Sequence, residues 1–201
     1  MADSSLLVLA SSSPRRAEIL TSLRIPFIVD PSSVDETPRD GERAHDTAGR
    51  LAEEKALEVA RRHPGRWVLG ADTLVILDGA ALGKPRDDED ARRMLAFLSG
   101  REHRVVTGVA LARDRRAQGT LLEESQVAMA SLTPEEIRWY VSTGEPRDKA
   151  GAYAVQGLGS RFIQGVRGSY TNVMGLPARG VYRLMREAGD PALALLALSS
   201  S

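Results

Sequence analysis

A chain of 201 residues with 27 basic and 27 acidic side chains carries no formal net charge, which argues against a general binder of nucleic acid or of membrane surfaces and makes any anion site a local one. Cysteine is absent, which excludes disulfides, thiolate nucleophiles and cysteine-ligated zinc. No run is long and apolar enough for a membrane span and the N-terminus lacks a secretory pattern, so the expected location is the cytoplasm.

The apolar run Leu6 to Ala10 has the length of a buried strand, and Ala17, Ile19, Leu20 and Leu23 recur at helical spacing after it. Between them, Ser11-Ser12-Ser13-Pro14 predicts a strand-to-helix turn with Ser13 as N-cap and Pro14 at the first helical position. Arg15 and Arg16 then stand at the positive end of the helix dipole, where a cation is unfavourable. Either an anion binds there, held by backbone N–H groups, serine hydroxyls and guanidinium forks, or both arginines are simply solvated. Phe27 to Val29 reads as a short strand, followed by a polar loop with Asp35, Glu36 and Arg39. A helix is expected over 46–62, capped by Asp46 or Thr47, with Ala48, Ala52, Ala56, Val59 and Ala60 as its apolar stripe. Trp67 to Ala71 is a strand, and Asp78-Gly79 a hairpin turn between LVIL and AAL. Asp87 to Leu98 is a helix, and His103 to Ala112 with Leu121 to Ala130 an antiparallel pair. Thr133-Pro134-Glu135-Glu136 has capping-box spacing and opens a helix to Ser142; a glycine-rich stretch follows, and Ala178 to Glu187 is the last helix. The apolar tail Pro191 to Leu198 either docks or frays. Early alternation of strands and helices with later hairpins gives an α/β class, a mixed sheet with surrounding helices, read as one domain over 1–201.

Lysine occurs at only Lys55, Lys84 and Lys149 among the 27 basic residues, so each marks a place where arginine's planar fork does not serve, unless so small a sample is chance. Lys55 falls beside the apolar stripe of its helix, where an ammonium either snorkels outward or meets an anion. Asp72, in GADT after an apolar strand, is placed at the strand's C-terminal end; it suits a hard cation or a general base, or is a turn residue. Lys84 returns across the hairpin toward it. The run EPRDKAGAYAVQGLG, 145–159, reads as an ordered functional loop carrying Asp148, Lys149, Tyr153 and Gln156; the carboxamide of Gln156 suits a base edge, or is tied to backbone in an Ω-loop. There is no P-loop and no HExxH, and His45, His63 and His103 sit in polar contexts expected at the surface, so a metal would have oxygen ligands, magnesium or manganese.

Taken in order, SSSPRR, EEKA, GADT, GKP, SG at 99–100, EPRDKAGAY, QGLG and NVMGLP at 172–177 resemble the Maf family of nucleoside triphosphate pyrophosphatases over about residues 5 to 187. The resemblance implies an elongated fold related to inosine-triphosphatase-like enzymes, a central cleft, a divalent metal cation, frequent homodimers, and hydrolysis of a nucleoside triphosphate to the monophosphate and pyrophosphate. It implies Asp72 as proton acceptor, Lys55 and Lys84 as phosphate-site lysines, Ser13 and Arg16 in the phosphate-binding opening, Lys149 in a substrate-binding motif, and Glu36, or Asp35 next to it, as a cleft acid that with Asp72 would hold the metal. Subtypes of the family differ at the positions of Arg15, Thr73 and Gln156, and that trio is similar to the branch acting on dTTP and UTP. A different class of function, a nucleotide-binding regulator of cell division acting through a protein partner, is also compatible with the neutral charge and the apolar tail.

Overall fold

In the computed structural model the described residues are 6–189, so the apolar tail at 191–198 lies outside them. The strands are β1 Leu7–Leu9, β2 Phe27–Val29, β3 Val68–Leu77, β4 Ala80–Leu82, β5 Glu102–Arg113, β6 Arg116–Met129 and β7 Ile163–Arg167. The helices are α1 Pro14–Ser22, α2 Ala44–Ala60, α3 Asp88–Leu98, α4 Pro134–Ser142, α5 Tyr170–Met174 and α6 Ala178–Glu187. The strands form one mixed sheet in the order β2-β1-β3-β5-β6-β7, with β4 paired to β3. β1 is parallel to β2 and β3, whereas β4 and β7 run antiparallel to β3 and β6. Two compact units result: one from residues up to 72, 107–123 and from 175, the other from 73–106 and 124–174. Among the described residues no helix is long and apolar enough to cross a membrane.

In the first unit β1 feeds α1 through the serines, with Ser13 at the N-cap and Pro14 at N1 as expected. The Ser13 hydroxyl makes no capping bond. α2 begins two residues earlier than the sequence suggests, behind Arg43, and Asp46 pairs with that arginine rather than capping the helix. The alanine stripe of α2 packs on Val8, Val68 and Ala110, so this core is made largely of small side chains. Two strand glycines let the helix down onto the sheet. A Cβ at Gly70 would stand 2.2 Å from the Ala52 carbonyl oxygen and 2.7 Å from the Ala56 nitrogen, and one at Gly108 would stand 2.2 Å from the Ala48 carbonyl oxygen. Any larger residue there would lift α2 from its seat.

In the second unit Asp78 and Gly79 take positive φ, 52° and 79°, as a two-residue hairpin turn of type I′ requires, and Val75 pairs with Leu82 across it. Asp87 caps α3 by accepting from the Asp90 amide at 2.8 Å. Thr133 and Glu136 form the expected capping box on α4. Met94, Leu98, Ile137, Tyr140, Tyr153 and Phe162 build the core against β3, β5 and β6. The run 145–159 folds as consecutive 3-10 turns at Glu145–Asp148, Ala150–Ala152 and from Gly157, an ordered loop as anticipated. β7 and α5 were not anticipated: β7 is short, glycine-containing and joined to β6 across an irregular register at Ala128 and Met129, which leaves no clean alternation to read.

Candidate active site

Lys55 lies on the sheet-facing side of α2, 6 % exposed, and does not snorkel. Its Nζ donates to Asp72 Oδ1 at 2.7 Å and to Glu36 Oε1 at 2.6 Å. The anion that answers the buried ammonium is therefore the protein's own pair of carboxylates. Asp72 is 7 % exposed, whereas Glu36 reaches in from its loop and keeps its side chain about half exposed. The close seat of α2 on Gly70 explains the meeting, because Gly70 and Asp72 share one face of β3 and Lys55 sits between Ala52 and Ala56 on the helix above it.

Arg16 completes this group. It is buried in α1, with Nε donating to the Gly175 carbonyl oxygen and Nη1 to Ser11 Oγ, both at 2.9 Å. Burial pushes its guanidinium below the ordinary arginine value, an effect that the charges of Asp72 and Glu36 oppose and that of Arg15 reinforces. The cation at the head of α1 is thus set in the field of two acids of its own fold. Ser13 and Arg15 flank it, both half-buried.

Asp72 is not at the end of its strand. β3 continues through Thr73 to Leu77, since Leu74 to Leu77 are apolar enough to stay buried and the polar pair Asp72-Thr73 is carried as an interruption within it. Thr73 therefore points to the opposite face from Asp72, the face of Val75, whose Cγ2 would lie 3.0 Å from a Cβ on Gly151 of the 145–159 loop. Lys84 is exposed just beyond β4, next to Gly83, whose carbonyl oxygen accepts from the Gly151 amide at 3.0 Å. Lys149 turns back on its own loop, donating to the Glu145 carbonyl oxygen and to Asp148 Oδ1 at 2.6 Å. Gln156 is half-buried, extended at φ −115°, immediately before the left-handed Gly157.

One support of the site lies outside every motif. Arg50, on the same helix as Lys55, grips Glu42 with two bonds of 2.6 and 2.7 Å and Glu54 at 3.0 Å, pinning the loop that delivers Glu36 onto α2. The spacing Arg50–Glu54 was a visible i,i+4 pair, but Glu42 lies outside the helix and carried no signal. His103 is a correction: it is 2 % exposed, not at the surface, with Nε2 2.7 Å from the Tyr153 hydroxyl. Its period-two position, inward with Val105 while Glu102 and Arg104 point out, was the signal that its polar neighbours masked.

Among the described residues no three His, Cys, Asp or Glu side chains stand together as a metal site. The acids able to hold a hard cation are Glu36 and Asp72, converging on one point now held by Lys55. Magnesium characteristically takes one or two carboxylates and completes its shell with water and substrate phosphates, so this donor set fits a cation that arrives with a phosphate ligand.

Paired acids, a buried lysine and a buried arginine make a site suited to polyphosphate: cations to offset anionic charge, a carboxylate to handle water. Comparison with known proteins finds relatives that match nearly the whole chain. A protein named dTTP/UTP pyrophosphatase from Myxococcus xanthus is 54% identical over 190 residues, covering 94% of this chain and 96% of that one. One of the same name from Koribacter versatilis is 48% identical over 183 residues, covering 91% and 94%. A solved structure of a HAM1 protein from Coxiella burnetii aligns with a TM-score of 0.47 at 20% identity, covering 95% of each chain. The family described as Maf-like protein matches residues 6–188, and the chain belongs to it.

Proposed function

We propose that the protein hydrolyses dTTP and UTP to the monophosphate and pyrophosphate, with residues 1–201 acting as one pyrophosphatase domain. The observation that carries the reading is the buried Lys55 held between Asp72 and Glu36, 2.7 and 2.6 Å away, in a chain 54% identical to a relative that bears that name. In the reaction, water attacks the α-phosphorus, the bond from that phosphorus to the oxygen bridging to the β-phosphate breaks, and pyrophosphate leaves with the electron pair. Asp72 takes the proton of the attacking water through the carboxylate oxygen not bonded to Lys55. Lys55, Lys84 and Arg16 offset charge on the phosphates, Ser13 binds beside them, and Lys149 leaves its own loop to reach the substrate. Glu36 and Asp72 would hold a divalent cation, magnesium or manganese, whose chemistry is to polarise phosphate oxygens.

Base choice is assigned to Arg15, Thr73 and Gln156. Uracil and thymine offer acceptor, donor, acceptor along O4, N3–H and O2, whereas cytosine puts an amino donor in place of O4. Arginine has only donors and satisfies a carbonyl, and a carboxamide both accepts from N3–H and donates to a neighbour. A group left unpaired costs about 1–3 kcal/mol, so CTP and dCTP are cleaved at least about tenfold worse than UTP and dTTP. We extend the proposal to a cytoplasmic location and to the homodimer that the family resemblance implies for some members, with no nucleic-acid or membrane partner. A nucleotide-binding regulator would have no use for the buried lysine clasped by two acids. The test is phosphorus NMR of purified protein with dTTP and magnesium. Appearance of dTMP and pyrophosphate is expected, and release of single orthophosphates overturns the cleavage position.

A further inference from the structure

Glu145 opens the distinctive loop and has no place in the reaction proposed above, yet its side chain is the most heavily used acceptor in that loop. Oε1 accepts from the Tyr140 hydroxyl at 2.8 Å and from the Gly159 amide at 2.9 Å, and Oε2 accepts from the Leu158 amide at 3.0 Å. Its carbonyl oxygen accepts from Lys149 Nζ. The Tyr140 hydroxyl in turn accepts from the Ala154 amide at 3.1 Å, on a ring that is wholly buried. Two strings of bonds thus converge on one carboxylate, from Ala154 by way of Tyr140 and directly from Leu158 and Gly159. Gln156 lies in the short span between them. Burial works to raise the Glu145 carboxyl, and the two amides with the tyrosine hydroxyl outweigh it, leaving it below its ordinary value and ionised as a clamp must be.

We infer that Glu145 is a positioning residue for base selection: by fixing both flanks of Gln156 it sets the carboxamide that distinguishes uracil and thymine from cytosine. The inference rests on the proposed reading of Gln156. Geometry explains why the acid is specific. Glutamine at this position keeps one oxygen for Tyr140 and Gly159 but turns an amino group onto the Leu158 N–H, donor against donor. Gly157 fits the same logic from the other side, because its φ of +69° favours glycine and a Cβ there would stand 2.8 Å from Glu145 Oε2.

The test uses the full chain as Glu145→Gln and, separately, Gly157→Ala, which strains the same clamp with the acid intact. Two readouts are taken, amide hydrogen exchange at residues 154–159 without nucleotide, and kcat/KM for UTP and CTP. Expected are exchange at Leu158 and Gly159 at least about tenfold faster, with the α4 amides unaffected, and a UTP-over-CTP ratio reduced about tenfold by a rise in KM for UTP that exceeds any fall in kcat. Unchanged exchange overturns the clamp. Faster exchange with an unchanged ratio overturns its part in base selection. A wild-type protein that does not prefer UTP to CTP overturns the reading of Gln156, and this inference with it, and the exchange data tell that outcome from a failed clamp.

Discussion

The Nζ of Lys55 and Oδ1 of Asp72, 17 residues apart in sequence, meet at 2.7 Å where both side chains are more than nine-tenths buried. Removing one partner of such a pair leaves an uncompensated buried charge, which costs about 3–5 kcal/mol. Lys55→Met is expected to lower the unfolding free energy by about that amount, and adding Asp72→Leu to restore much of it. Urea denaturation of both single variants and the double variant gives the coupling. Simple additivity of the two losses would show that the pair contributes nothing as a pair.

Asp72→Asn keeps the shape and one acceptor for Lys55 while removing the negative charge. Turnover of dTTP is expected to fall by about two orders of magnitude or more, in line with general-base contributions, with a circular dichroism spectrum like that of the native protein. A rate near normal would return Asp72 to a purely structural role as counter-ion.

Burial pushes His103 down to about 4 from an ordinary 6.5. The unfolded chain therefore takes up the proton first as pH falls. The contribution to stability is complete above about 6.5 and is lost as pH drops toward 4, with a slope of up to roughly 1.4 kcal/mol per pH unit from this one group. His103→Gln removes the titration, so its stability should change less between those pH values than that of the native protein. Parallel curves for the two proteins would contradict the assignment.

A second window lies lower. The Glu42 carboxyl is held down to about 2 from 4.5, first by the bonds from Arg50, which prevail over desolvation, and then by the Arg39 amide and Thr47 hydroxyl. The stability it confers is present above the unfolded value of about 4.5 and is lost as pH falls through the folded value of about 2. Arg50→Met should flatten the stability curve there, and by loosening the loop behind Glu36 should also raise the magnesium concentration needed for half-maximal activity. An unchanged magnesium requirement would show that Arg50 does not position Glu36.

Local chemistry was the legible part of the sequence. Ser13-Pro14, Asp78-Gly79 and the Thr133–Glu136 box each specify an element boundary within four residues, and all three stand where expected. The partners of Lys55 could not be read, because they depend on how low α2 sits, which is decided by Gly70 and Gly108 on strands distant in sequence. α2 starts before its apparent cap for a related reason: Asp46 looks like a cap until Arg43 claims it. A polar pair in an apolar run resembles a strand end, whereas one buried partner on α2, Lys55, is enough to carry Asp72 in mid-strand.

Since β3 holds Asp72 on the face it shares with Gly70, under α2, parity along one strand separates the acid from the residue next to it. A single-residue deletion just upstream in β3 would set Thr73 in the place of Asp72 and present a hydroxyl to Lys55, and a single insertion would present only the methyl of Ala71. Even a pair of residues, which restores the face, would carry Asp72 about 6–7 Å along the strand from Lys55, so length changes that spare the pair fall in the turns outside β3. Swapping Thr73 for another side chain, by contrast, leaves the frame untouched, so this position can diversify while its neighbour stays fixed.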